Sequence, residues 1–236
     1  MYGGIVVNPK DFPMFIDELG VKLSKKQIEQ FQIYADFLIS YNESTNLTAI
    51  TSLEDIYEKH FYDSLLIGEI IKPYQSLCDV GSGAGFPAIP LKIVYPELSL
   101  TILEPIQKKV KFLNLLADKL QMDVNVVNMR AEEAMAYRET FDVVTARAVA
   151  YLNILAELCI PLVKKEGIFI AMKGSKAEEE IKSAEKAIIT LGCELEAIQN
   201  TQLSNQEKRC NIIYRKKRKT NVVFPRKYAV IKKKPL

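Results

Sequence analysis

The chain has 236 residues, 48% of them hydrophobic and 26% charged, with a formal net charge of +3. That balance suits one sizeable soluble domain with an extension. No apolar run reaches the roughly 18–20 residues of a membrane span and no basic-then-apolar leader is present. Four scattered cysteines with a single histidine leave almost no material for a zinc site. The expectation is a cytoplasmic, monomeric protein with reduced thiols and no metal.

The first sixty residues read as helical. Ser24 and Gln27 make a capping-box start, and Ile28, Phe31, Ala35, Leu38 and Tyr41 recur at helical spacing. The polar stretch Asn42 to Asn46 predicts a loop, and a second helical segment is expected from Leu53 to Ile71. From Ser76 the rhythm changes to short apolar runs alternating with longer amphipathic ones. Strands are expected at Ser76–Val80, Ser99–Leu103, Val124–Val127, Asp142–Ala146 and Ile168–Met172. The helices expected alongside them are Phe86–Tyr95, Gln107–Gln121, Ala131–Ala136, Leu152–Leu162 and Ala177–Leu191. Two final strands, Glu194–Ile198 and Cys210–Tyr214, flank a polar loop at Thr201–Gln206 and predict an antiparallel hairpin. Alternating strands and helices imply an α/β fold, a mostly parallel sheet with helices on both faces. The organisation read from this pattern is a helical extension over 1–72, the α/β domain over 73–215 and a basic tail over 216–236.

Leu77 to Pro87 reads as a strand that ends on an acid, a turn with three glycines at every second position, and a helix with Pro87 and Pro90 in its first turn. Such a turn lets backbone pass close to a nucleotide-derived ligand. A dinucleotide fingerprint is G-x-G-x-x-G, but here Phe86 stands three residues after Gly83, and Asp79 is poorly placed beside a diphosphate. A carboxylate there suits a cofactor bearing a cation. Ligands in such folds sit beyond the carboxyl ends of the strands. Reading those ends in order gives Glu104, suited to ribose hydroxyls, then Ala131 and Glu132, where an adenine could be held, then Arg147 and Lys173-Gly174-Ser175-Lys176. The plainer alternatives are a tight turn, acids at helix starts, and an ion pair of Arg147 with Glu132 or Glu104. His60, in the helical extension, reads as structural. No serine–histidine pair and no carboxylate cluster is evident, so positioning rather than acid–base work is expected.

Charge is unevenly spread. From Lys208 onward lie twelve Lys or Arg and no acid; 20 basic and 29 acidic residues precede it, a net of −9. Clustered cations gain counterion-release free energy on nucleic acid, although a solubilising tail, or more weakly an anionic membrane, is an alternative.

The motif D-x-G-x-G-x-G with an acid after the next strand resembles the class I S-adenosylmethionine-dependent methyltransferases. Asn46-Leu47-Thr48-Ala49-Ile50, Lys59-His60-Phe61 with Asp63-Ser64-Leu65, Asp79 to Pro87, Arg130 to Glu133, Phe141 to Ala148, Met172-Lys173-Gly174 and Lys234-Pro235-Leu236 resemble the RsmG (GidB) family. Ala88 departs from it, standing where that family usually has glycine. The resemblance implies a Rossmann-like, seven-stranded methyltransferase fold and methylation of guanine N7 in 16S ribosomal RNA of the small subunit, with S-adenosylmethionine as donor. It implies cofactor contacts from Gly81, Phe86, Ala131, Glu132 and Arg147, and the wider superfamily pattern adds Glu104; Asp79 and Gly83 of the glycine turn are expected to join them, with Arg147 and Lys173 as positioning candidates. Lys173, Lys176, Arg215, Lys216, Lys217, Arg218 and Arg226 are the expected RNA-facing cations. A small-molecule methyltransferase and a non-catalytic RNA-binding protein are the rival readings.

Overall fold

The structure, a computed structural model, describes residues 7–204 and 206–236; position 205 of the expected polar loop and residues 1–6 of the helical extension lie outside the described residues. One seven-stranded sheet runs in the order β3-β2-β1-β4-β5-β7-β6. Its strands are β1 (Ser76–Val80), β2 (Ser99–Leu103), β3 (Asn125–Val127), β4 (Phe141–Arg147), β5 (Val163–Lys173), β6 (Cys193–Gln202) and β7 (Lys208–Lys216). Pairing is parallel from β3 across to β5, while β7 lies antiparallel between β5 and β6, forming the expected hairpin. The register sets Asp79 beside Ile102 and Thr145, and Arg147 beside Met172. Because β7 is reversed, its first residues reach that same edge, with Cys210 opposite Lys173.

The sheet separates two apolar cores. On one face lie α1 (Phe12–Glu18), α2 (Lys25–Thr45), α3 (Leu53–Asp55), a π-helix (Ile56–Tyr62), α4 (Asp63–Leu65), α5 (Ala88–Val94) and α6 (Gln107–Leu120). Phe12, Phe31, Tyr34, Phe61 and Phe112 cluster there with Leu77, Ile102 and Val143. The other face carries α7 (Leu152–Cys159), α8 (Ala177–Leu191) and α9 (Tyr228–Lys233), whose Leu155, Ile188 and Ile231 meet Cys78, Val144 and Phe169. Adjacent residues such as Leu77 and Cys78 therefore serve opposite cores, as the two-residue period of a strand requires.

Several elements depart from expectation. The capping box forms, with Ser24 Oγ accepting from the Gln27 N–H and Gln27 Oε1 accepting from the Ser24 N–H. The helix it starts runs through Asn42 to Thr45, where a loop was expected, and stops only when Asn46 enters the left-handed region at φ 50°. Asn42 is buried and folds the following chain back, accepting from the Leu47 and Thr48 N–H groups at 2.6 and 3.0 Å. The segment 53–71 is not one α-helix; its centre is the π-helix, a form that recurs at functional sites. Residues 131–137 make two 3-10 turns, Ala131–Glu133 and Met135–Tyr137, instead of a helix. Helix α7 gives way at Ile160 to a 3-10 turn because Pro161 has no N–H to continue it.

The tail does not leave the domain. Arg138 donates to the carbonyls of Thr220, Asn221 and Phe224, and Arg226 clamps the fully buried Glu157 with Nε and Nη2 at 2.8 and 2.6 Å. No helix among the described residues is long and apolar enough to cross a membrane, and all four cysteines are buried and free.

Candidate active site

The end of β1 supplies a buried carboxylate. Asp79 Oδ1 accepts from Thr145 Oγ1 at 2.7 Å, while Oδ2 is buried without a hydrogen-bond partner among the described residues. Burial pushes its pKa up to about 7, against the Ser82 and Thr145 hydroxyls and the nearby Arg147 guanidinium, which favour the charged form. An orphaned carboxylate oxygen at a strand end is a costly feature unless something supplies a donor. The neighbouring Ser82 hydroxyl is also buried, close enough to the carboxylate to favour its charged form without reaching hydrogen-bond geometry.

The glycine turn is tied down on both sides. The Gly81 N–H donates to the Leu103 carbonyl at 2.8 Å. Glu104, almost fully buried, accepts from the Gly83 N–H through Oε2 and from the Ile106 N–H through Oε1, each at 3.0 Å. Gly83 sits at φ +64°, and a Cβ there would meet nothing closer than Lys109 Nζ at 4.0 Å, so its outer side is open. Gly85, at φ +105°, is needed for packing: a Cβ would lie 2.7 Å from the Tyr34 hydroxyl. That hydroxyl donates to the Ala84 carbonyl at 2.5 Å, fixing the turn from α2. Phe86 follows, with the Tyr34 ring stacked at 5.3 Å and the His60 ring at 4.1 Å.

Arg147, at the end of β4, is gripped by the π-helix and its continuation. Nη1 donates to Asp63 Oδ2 at 2.8 Å and to the Lys59 carbonyl at 3.2 Å, and Nη2 contacts His60 Nδ1 at 3.3 Å. Its guanidinium lies 5.2 Å from the Phe86 ring centroid. Residues 59, 60 and 63 fall on one face of this segment and all address the one guanidinium. Asp63 is shared, since Arg209 Nε donates to its other oxygen at 3.1 Å. Arg147 thus pairs with neither Glu132 nor Glu104. Burial, then Arg147, drives the His60 pKa down to about 3, so the ring is neutral. Arginine can only donate, so Nδ1 is the acceptor, and Nε2 carries the hydrogen toward Thr48 Oγ1 at 3.1 Å.

Ala131 and Glu132 sit in the turn after β3, on the glycine-turn side of the same edge, Ala131 buried and Glu132 half-buried. A cavity of about 750 Å³ opens on the other side, lined by His60, Asp63, Arg147, Lys173, Lys176 and Arg209 among others. Asp79 and the glycine turn are not in its wall, so the two halves of the site are adjacent rather than one chamber. Lys173 is engaged, with Nζ on Glu180 Oε2 at 2.7 Å and on the Ala150 carbonyl at 2.6 Å, whereas Lys176 is exposed.

Of the expected RNA-facing cations of the tail, Lys216 needs correction. Lys216 is fully buried, donating to the carbonyls of Ile160 and Val163, and burial lowers its pKa. It shares a face of β7 with Ile212 and Tyr214, which pack in the α7 core. Arg215 is held by Glu196, Lys217 lies 3.4 Å from Glu194, Arg218 donates to the Ile189 carbonyl and Arg226 to Glu157. No group of His, Cys, Asp and Glu among the described residues is arranged to hold a metal.

A family model described as rRNA small subunit methyltransferase G matches residues 27–211. The "Ribosomal RNA small subunit methyltransferase G" of Bacillus cereus (strain B4264) is 47% identical, the match covering 98% of this chain and 99% of the relative. The chain belongs to the rRNA small subunit methyltransferase G family. A relative of the same description from Oceanobacillus iheyensis is 46% identical over 98% of this chain and 100% of its own. Solved structures share the class I methyltransferase fold at low identity. Ribosomal protein L11 methylase from Lactobacillus delbrueckii subsp. bulgaricus aligns with a TM-score of 0.52 at 18% identity, covering 68% of this chain and 79% of that one. A methyltransferase from Pyrococcus furiosus gives 0.55 at 14%, covering 64% and 80%. The rRNA small subunit methyltransferase G model ends at residue 211, before the tail begins.

Proposed function

We propose that this chain transfers a methyl group from S-adenosylmethionine to N7 of a guanine in 16S ribosomal RNA, acting in the cytoplasm as a monomer. The observation that carries the cofactor half is the orphaned Asp79 Oδ2 beside the open side of the glycine turn. It offers a carboxylate to a cationic ligand, while Glu104 presents two oxygens positioned by backbone amides. Ala131 and Glu132 would hold the adenine, and Gly81, Gly83, Phe86 and Arg147 complete the wall. Family membership carries the substrate half.

The bound donor supplies a methyl group on a sulfonium, activated for displacement. Guanine N7 has a free lone pair on the base edge, so no proton has to leave before attack. This agrees with a site whose histidine is neutral and turned to Thr48 and Arg147 rather than poised as a base. As the N7–methyl bond forms, the sulfur–methyl bond breaks; the thioether leaves neutral and the positive charge passes to the base. The chain's task is alignment, which alone contributes up to about 7–11 kcal/mol in well-ordered sites. Arg147 is fixed by three acceptors, and Phe86 by stacked rings. Both are therefore rigid positioning groups between the donor turn and the cavity. The test is transfer of labelled methyl from S-adenosylmethionine to small ribosomal subunits and to their naked RNA. Label recovered as 7-methylguanine supports the reading, and RNA left unlabelled beside an active control methyltransferase sinks it.

A further inference from the structure

The cations of the tail fall into two sets. Lys216, Arg218 and Arg226 bond to the fold through carbonyls and the buried Glu157. Lys217 is exposed but paired with Glu166 and Glu194. Lys219, Lys227, Lys232, Lys233 and Lys234 are exposed, and none has an ion-pair partner among the described residues; Lys219 lies at the far edge beside Thr220, and the other four form the second set.

The second set has a defined place. Strand β7 delivers the chain to the edge opposite the glycine turn, since it runs antiparallel to β5. Arg138, which precedes β4, holds residues 220–224 at that far edge. The tail then returns along α7, pinned by Arg226 on Glu157 and by Ile231, which is buried in the α7 core. The Arg130 guanidinium lies 5.5 Å from the Tyr228 ring centroid, and Arg130 directly precedes the Ala131–Glu133 turn. Helix α9 therefore packs on α7 with its first residue, Tyr228, beside the arginine that leads into the Ala131–Glu133 turn.

We infer that α9, through Lys227, Lys232, Lys233 and Lys234, is a docking surface for the phosphate backbone of the substrate RNA, flanking the reaction edge on its cofactor side. This rests on the methyltransferase reading above and adds a partner surface to it. Helix electrostatics do not account for the cluster: Lys232 and Lys233 suit the C-terminal end, but Lys227 is the N-cap residue, where a cation is unfavourable. A membrane surface is the poorer occupant. An interfacial helix must offer its apolar face to lipid, whereas Ile231, Tyr228 and Leu236 are already packed against the α7 core, leaving Val230 as the exposed apolar side chain of α9. RNA phosphates ask only for fixed, unpaired cations, which a pinned helix provides with little further ordering. The cofactor pocket described above needs none of these four lysines.

The test uses the full-length protein with all four lysines changed to glutamine, and a companion with all four changed to arginine. Binding to small-subunit ribosomal RNA is measured across a potassium chloride series. Each phosphate neutralised contributes about 0.7–0.9 to the log–log salt slope, so the glutamine variant is expected to lose about 3 from it. At near-physiological salt its affinity should fall by about 100-fold, with the arginine variant near wild type. S-adenosylhomocysteine affinity and melting temperature should not move in either. An unchanged salt slope in the glutamine variant overturns the inference. So does RNA binding left intact while binding to phosphatidylserine–phosphatidylcholine vesicles is lost. Methyl transfer by the wild type at saturating RNA and low salt is read separately: its absence counts against the methyltransferase reading, while the salt slopes still decide the docking surface.

Discussion

Cofactor affinity should depend on pH through Asp79. In the ligand-free fold burial holds this carboxyl near pKa 7, so it is largely protonated at pH 5.5 and largely charged at pH 7.5. A ligand ammonium binds the charged form, so affinity rises with pH through 7 and then levels. The charged fraction goes from about 0.03 at pH 5.5 to about 0.76 at pH 7.5 for a group of pKa 7, a gain in affinity of about 25-fold, or roughly 1.9 kcal/mol. Calorimetric titration with S-adenosylhomocysteine reads this directly, because its ammonium stays protonated across that range. Repeating it at pH 6 in buffers of different ionisation enthalpy should show nearly one proton released on binding. The effect on stability has the opposite sign. A carboxyl whose folded pKa is raised contributes stability below its unfolded value, and that contribution is lost as pH rises toward 7. Melting temperature and affinity should therefore not track each other. Asp79→Asn should bind weakly and without pH dependence. A flat wild-type affinity from pH 5.5 to 7.5, or a slope that persists in Asp79→Asn, refutes the reasoning.

Three further outcomes follow from the contacts around the site. Asp63→Ala takes from Arg147 its carboxylate partner, while Arg209 keeps Glu207, and urea denaturation should show a loss of about 3 kcal/mol, as for a broken buried ion pair; an unshifted midpoint contradicts this. Arg147→Ala leaves Asp63 still paired with Arg209, so the fold should persist while methyl-transfer kcat/KM drops at least tenfold, and unchanged kinetics remove Arg147 from the site. Tyr34→Phe takes the donor from the Ala84 carbonyl and should cost about 1 kcal/mol of stability, together with cofactor affinity; a variant that is less stable but binds as wild type shows that the turn does not need this anchor.

The strands that carry the site were legible because they are short apolar runs with clear boundaries. Ser76–Val80 and Ser99–Leu103 end where expected, and so does the helix Ala177–Leu191. Strand β5 starts earlier than expected, at Val163, because the polar run Lys164–Glu166 is exposed yet still in the strand. What sequence could not show is pairing across the fold. Asp63 meets Arg147 and Arg209 over separations of 84 and 146 residues, and no local pattern signals it. His60 was read as structural; its ring stacks on Phe86 and accepts from Arg147, so it is a scaffold inside the site itself. The tail shows the opposite error. Its charge was legible, but which cations are free depends on burial and on carbonyls elsewhere in the chain. Lys216 points into the core while Lys232 stays in solvent.

The central claim is that this site delivers a methyl group to guanine N7 in small-subunit RNA. The most direct measurement is mass spectrometry of nuclease digests of 16S ribosomal RNA, taken from small subunits lacking the modification and treated with this protein and S-adenosylmethionine. The account predicts 7-methylguanosine in one digestion fragment, absent when Asp79→Asn replaces the wild type. Methylation at another base atom, or none in RNA that a control enzyme modifies, contradicts it.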